Sequence, residues 1–143
     1  TLNDMCFIQY EISNFARKGF ACKHNLKYWK QQLYIGLGAS AHSFLNGKRF
    51  YHPPNILDYI QNPKNNIFLE NGGDAKEWLT LALRLNEGIS LDEAERRGFS
   101  KSELKRKTDM LIKEGLAFDF KDRISLTPKG FLLSNSIILH YLD

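Results

Sequence analysis

The spacing of apolar and polar positions changes character along this chain. FIQYEIS (7–13) alternates loosely and predicts a strand closed by Asn14. YIGLGASAHSF (34–44), apolar and rich in small residues, predicts a second strand, and KRFYH (48–52) a third. Asn46-Gly47 between them predicts a hairpin, because both residues tolerate the positive φ of a type I′ turn. Pro53-Pro54 stops the third strand, and NILDYI (55–60) predicts a short helix ended by Asn62-Pro63. NPKNNIFLENGGD (62–74) reads as a linker, punctuated by Asn, Gly and Pro.

Beyond the linker the period becomes helical. Asp74 with Glu77, Ser90 with Glu93 and Ser100 with Glu103 each set a cap residue three before a glutamate. They predict helices near 75–86, 91–97 and 101–114, the last ended by Gly115 in the left-handed conformation. LAFDFKDRISLT (116–127) alternates around Lys121-Asp122 and predicts a hairpin. Thr127-Pro128 is a cap followed by proline at the first helical position, opening a last helix from 128 to about 142. Three helices, a hairpin and a helix are the order of a winged helix-turn-helix. The expected fold is α+β in two domains: a mainly β part over 1–70, then a winged-helix-like module over 71–143.

At 143 residues and 43% hydrophobic, the chain can build one medium core or two small ones. It has no apolar run of about 18 residues, so no membrane span is expected. TLNDMCFIQYEIS lacks a basic leader and is interrupted by Asp4, so it is no signal peptide and reads as the middle of a larger protein. Cys6 and Cys22 are 16 apart; they could pair, but two free thiols in a cytoplasmic chain is the simpler reading. Without a CxxC, a thiolate zinc site is not expected.

The formal net charge is +4. Residues 1–74 hold 8 Lys and Arg against 5 Asp and Glu, and residues 75–143 hold 12 against 11. A winged helix suggests DNA binding through its third helix, and Lys101, Lys105, Arg106 and Lys107 lie there. Phosphate neutralisation needs a clustered basic face, however, and this half is nearly neutral. A packing or lid role is the better expectation, with nucleic-acid binding as an alternative.

Two stretches carry candidate chemistry. In HNLKYW (24–29), a helix would pair His24 with Tyr28 and Asn25 with Trp29 at i and i+4. On residue types alone this is either a turn anchored by its aromatics or a ligand site. In GLGASAHS (36–43), Gly36 and Gly38 need a reason to sit in a strand: close packing, or a ligand against bared backbone. No third glycine opens a helix, so this is no dinucleotide fingerprint. His42 and His52 have no spacing that defines a metal site.

Taken in order, QYEISNFA (9–16), HNLKYW, YIGLGASAHSF and the module ending in SLTPKGFLLSNSIIL resemble the C-terminal part of radical S-adenosylmethionine proteins related to oxygen-independent coproporphyrinogen III oxidase. HNLKYW is similar to the HNxxYW motif of that family's haem-chaperone branch. The resemblance implies haem contact by His24, Asn25, Tyr28 and Trp29. His24 would be the iron ligand, the aromatic faces would pack on the porphyrin, and Lys23, Lys27 and Lys30 would pair with the propionates. It implies a last barrel strand at 34–44, with Gly36, Gly38, Ala39, Ser40, Ala41 and His42 beside S-adenosylmethionine and the Ala41–His42 backbone in direct contact. Glu11 and Asn14 would lie near the barrel mouth.

One departure is large: the family's CxxxCxxC motif is absent, and Cys6 and Cys22 do not replace it. The [4Fe–4S] cluster and S-adenosylmethionine would belong to the full-length parent only, and this chain alone would carry no catalytic residue. The function implied for the parent is haem binding for transfer to an unidentified target protein, in the cytoplasm. The alternative is oxidative decarboxylation of coproporphyrinogen III. Strand edges left by the missing barrel would invite self-association.

Overall fold

The computed structural model describes residues 2–143. A 3₁₀ turn at Asn3–Met5 leads into β1 (Ile8–Gln9), β2 (Phe15–Ala16) and helix α1 (Lys23–Trp29). Then come β3 (His42–Leu45), β4 (Lys48–Tyr51), α2 (Ile56–Gln61) and β5 (Ile67–Asn71). The C-terminal half holds α3 (Ala75–Ala82), β6 (Ile89–Ser90), α4 (Leu91–Arg96) and α5 (Lys101–Lys113). It closes with β7 (Ala117–Phe120), β8 (Arg123–Leu126), α6 (Pro128–Leu132) and α7 (Ser134–Leu142). The class is mixed α and β, and the described residues form no closed barrel.

Two compact units are present, and the first is discontinuous. It joins the residues up to Lys30 with Ala75–Asp143, while Gln31–Asp74 form the second. The partition is therefore not the linear one expected at 70/71. In the first unit an antiparallel sheet of order β6-β8-β7 carries the helices, in winged-helix order. Leu79, Leu83, Ile89, Leu91, Ala94, Leu104, Ile124, Leu126 and Ile137 make its core. QYEIS joins this unit by a short ladder, in which Ile12 N–H donates to Arg84 O at 2.8 Å and Asn86 N–H to Tyr10 O at 3.1 Å.

Three of the expected caps form. Ser90 Oγ accepts from Glu93 N–H, Ser100 Oγ from Glu103 N–H, and Thr127 Oγ1 from Gly130 N–H with Pro128 at the first turn. Gly115 (φ +70) ends α5, with Leu116 N–H bonded to Leu111 O at 2.8 Å. The last helix, expected unbroken, divides at Leu133 (φ −110) into α6 and α7.

Buried in this core, Thr108 Oγ1 donates to Leu104 O at 2.7 Å, which leaves the Tyr141 hydroxyl to donate to Thr108 at 2.7 Å. Burial pushes the Tyr141 phenol from its ordinary value of 10.0 up to about 12. A raised folded-state pKa contributes stability that is complete below the unfolded value and is lost as pH rises through the folded one. Unfolding free energy should fall by about 2 kcal/mol between pH 10 and 12. Tyr141→Phe should remove that slope, as read by urea unfolding at stepped pH.

In the second unit β3, β4 and β5 form an antiparallel sheet. Asn46 (φ +50) and Gly47 (φ +72) make the expected two-residue turn between β3 and β4. Asn55 Oδ1 caps α2 by accepting from Leu57 N–H at 2.8 Å. Two expectations fail here. Residues 62–74 are no bare linker, because Ile67–Asn71 pair with β4. The expected strand over 34–44 survives only from His42, with Tyr34 bridging to Phe44 from outside it. Gly38 (φ +112) and Ser40 (φ +61) bring two left-handed positions within three residues, and a ladder cannot pass through them. FIQYEIS likewise keeps only two strand residues plus a bridge from Glu11 to Leu85.

No helix among the described residues is long and apolar enough to cross a membrane.

Candidate functional site

Helix α1 holds HNLKYW with the expected i, i+4 geometry. Tyr28 Oη lies 2.8 Å from His24 Nε2, with the rings edge-on at 4.9 Å and 89°. Both side chains are exposed, as are Lys23 and Lys27 beside them. Asn25, Leu26 and Trp29 form the half-buried face. Trp29 lies under the Arg84 guanidinium, 5.9 Å from its ring centroid, and Lys30 Nζ pairs with Glu87 Oε1 at 2.8 Å. The helix is thus held by its Trp29 face and offers its His24–Tyr28 face to solvent. A cleft of about 230 Å³ beside the anchor is lined by Trp29, Trp78, Glu87 and Arg123 among others.

The geometry divides the proposed haem residues. His24 and Tyr28 share one face; Trp29 is committed to Arg84, and Lys30 to Glu87. Sequence reasoning missed Arg84 and Glu87 because nothing local marks them; they lie more than fifty residues beyond the helix they hold.

The second candidate set lies in the other unit. Gly36 passes so close to β3 that an added Cβ would sit 2.1 Å from the His42 carbonyl oxygen, and its N–H donates to Ser43 Oγ at 3.0 Å. Close packing therefore accounts for Gly36. Gly38 is required by its φ of +112, and the space where its side chain would stand is open. Ala39 and Ser40 complete the turn, with Ala41 N–H bonded to Gly38 O at 3.1 Å. Ala41 O accepts from His52 N–H at 2.9 Å, and exposed His42 stacks on Tyr51 at 5.8 Å. A cleft of about 400 Å³ in this unit is lined by Ile35, Gly36, Leu37, Ser43, Phe50 and Lys64 among others. Gly38 to Ala41 do not line it. His52 is buried, with Nδ1 3.1 Å from Asn65 O and its ring against Tyr59, which is a structural role.

Glu11 is fully buried and bracketed locally: its carboxylate accepts from Ser13 N–H at 3.1 Å and from the Asn14 side-chain amide. No cluster of three or more His, Cys, Asp or Glu side chains suited to a metal ion occurs among the described residues. Cys6 and Cys22 are free and exposed. The donor set here does not fit an iron–sulfur cluster.

Three of the four basic residues near the start of α5 meet acidic groups. Lys101 pairs with Asp92 at 2.7 Å and Glu95 at 3.0 Å, holding the Asp92 carboxyl below its ordinary value. Lys107 is buried against Glu103 and Tyr141 O, and Lys105 reaches Asp119 at 4.0 Å. With Lys101 and Lys107 held in this way, the face is poorer in free cations than the sequence alone implies.

No family model matches the chain. Curated proteins do. The heme chaperone HemW of Lactococcus lactis is 31% identical over 141 residues, covering 93% of this chain and 37% of that protein. That of Bacillus subtilis is 33% identical over 148 residues, covering 94% and 38%. That of Escherichia coli is 28% identical, covering 94% and 38%. Among solved structures, the radical SAM enzyme coproporphyrinogen III oxidase (HemN) of Escherichia coli superposes on 98% of this chain with a TM-score of 0.64. At 16% identity, and with 38% of that chain covered, this is a likeness of fold. The chain spans less than two fifths of the length of these relatives.

Proposed function

We propose that this chain, part of a radical S-adenosylmethionine protein of the coproporphyrinogen III oxidase-like family in its haem-chaperone branch, carries the segment with which its parent binds haem for transfer to a target protein. The observation that carries the reading is the exposed His24–Tyr28 pair on a helix anchored by its opposite face. Imidazole suits haem iron, and the exposed Lys23 and Lys27 suit propionates. Trp29 seats the helix under Arg84, and Asn25 and Trp29 would meet the porphyrin from the half-buried face beside the pair. In the parent, Gly36, Gly38, Ala39, Ser40, Ala41 and His42 would neighbour S-adenosylmethionine, an assignment supported by the bared backbone at Gly38. The cluster that cleaves this cofactor needs three thiolates that this chain does not provide, so no step is derived through it. A cytoplasmic setting and self-association through β3 or β5 edges belong to the same proposal.

Haem titration followed in the Soret band tests the reading. The chain should saturate near one haem, and His24→Ala should weaken binding by about tenfold or more. Equal binding by His24→Ala, or none by either protein, would move the oxidase reading ahead.

A further inference from the structure

A second surface on the same unit answers the chemistry of a porphyrin. Phe7, Phe15, Ala16, Arg17 and Phe20 line a cleft of about 360 Å³. The Arg17 guanidinium lies over the Phe7 ring, 5.3 Å from its centroid. Phe20 N–H bonds to Arg17 O at 2.9 Å, and Gly19 (φ +87) turns the chain between them. Phe20 remains 81% exposed and Phe15 39% exposed, so the cleft's aromatic surface is largely wet. Wet aromatic area of this kind is stabilised by whatever covers it.

Charge narrows the occupant. Between Ile12 and Lys30 the chain carries Arg17, Lys18, Lys23, Lys27 and Lys30 and no acidic residue. Glu11, just before, is buried, and among these cations Lys30 pairs with Glu87. Aromatic faces within a segment that carries five cations and no acidic residue of its own suit a flat apolar ring system bearing carboxylates. Phe20 precedes His24 by four residues, so their Cα atoms are at most about 14 Å apart. One macrocycle can meet both.

We propose that the Phe7–Phe15–Phe20 cleft, with Arg17 in its lining, is a porphyrin-binding surface that recognises the macrocycle and its propionates independently of iron. The proposal rests on the haem-binding reading for the identity of its occupant, but it predicts a ligand that His24 alone would not hold.

The full chain is titrated with metal-free protoporphyrin IX by fluorescence anisotropy, and with haem in parallel. Protoporphyrin should bind the unmodified chain and His24→Ala within about twofold of each other. Phe20→Ala and Arg17→Glu should each weaken it by about tenfold, and Arg17→Lys should restore most of the loss. Protoporphyrin dimethyl ester should be indifferent to Arg17→Glu. Both side chains are exposed, and circular dichroism verifies that the variants fold. Protoporphyrin binding that is lost in His24→Ala, or unchanged in both cleft variants, overturns the cleft; saturable, His24-dependent haem binding would then leave the haem reading standing. A chain that takes up neither haem nor protoporphyrin overturns both.

Discussion

Leu83→Ala is expected to lower the unfolding free energy of the first unit by about 3–4 kcal/mol. Leu83 is 0% exposed, and its backbone continues the last turn of α3 by bonding to Leu79 O at 3.0 Å. Truncation removes the side chain's transfer free energy and leaves a cavity that Ile89, Ile124 and the neighbouring helices fill only partly. Leu132→Ala is the internal control: at 85% exposure it should change stability by less than about 0.5 kcal/mol. Urea unfolding monitored by tryptophan fluorescence reads both, at unchanged m-value. Equal midpoints for the two variants would mean that the core of the first unit is misplaced.

Gly36→Ala should cost the second unit on the order of 3 kcal/mol. A methyl group there would stand 2.1 Å from a carbonyl oxygen of β3, with the His42 carbonyl carbon and nitrogen both at 2.9 Å. Backbone cannot yield as a side chain tip does, so the Tyr34–Phe44 bridge must open. Gly38→Ala meets no atom but must hold φ at +112, a conformational cost on the order of 1–3 kcal/mol. Hydrogen exchange at Phe44 N–H, bonded to Tyr34 O at 2.9 Å, separates them: Gly36→Ala should deprotect it and Gly38→Ala should not. A silent Gly36→Ala would leave its glycine to be explained by a ligand.

Local chemistry made much of this molecule legible. Ser90, Ser100 and Thr127 cap helices, Gly115 ends one, and Asn46-Gly47 and Lys121-Asp122 turn hairpins, because each device acts within about five residues. The His24–Tyr28 contact was readable for the same reason, since it is set by helix pitch alone. What could not be read depends on distant partners or on backbone angles. Ile67–Asn71 become a strand because β4 offers an edge, although Asn and Gly around them read as linker. Residues 36–41 look strand-like by composition, yet Gly38 and Ser40 adopt angles that side-chain patterns do not announce. Nothing in the sequence marks the division at Leu133. The anchor of α1 was hidden too, because the Arg84 that lies over Trp29 is 55 residues further along the chain.

The discontinuity of the first unit sets a clock on its synthesis. Tyr10 and Ile12 hydrogen-bond to Asn86 and Arg84, so their partners leave the ribosome about 70 residues later, some 4–14 s at ordinary elongation rates. Within that interval Gln31–Asp74 are made in full, ten residues before Arg84, and can begin to fold on local contacts, while HNLKYW waits without the arginine that seats it. The helix that carries His24 and Tyr28 is therefore made before residues 36–42 and is among the last segments to be placed.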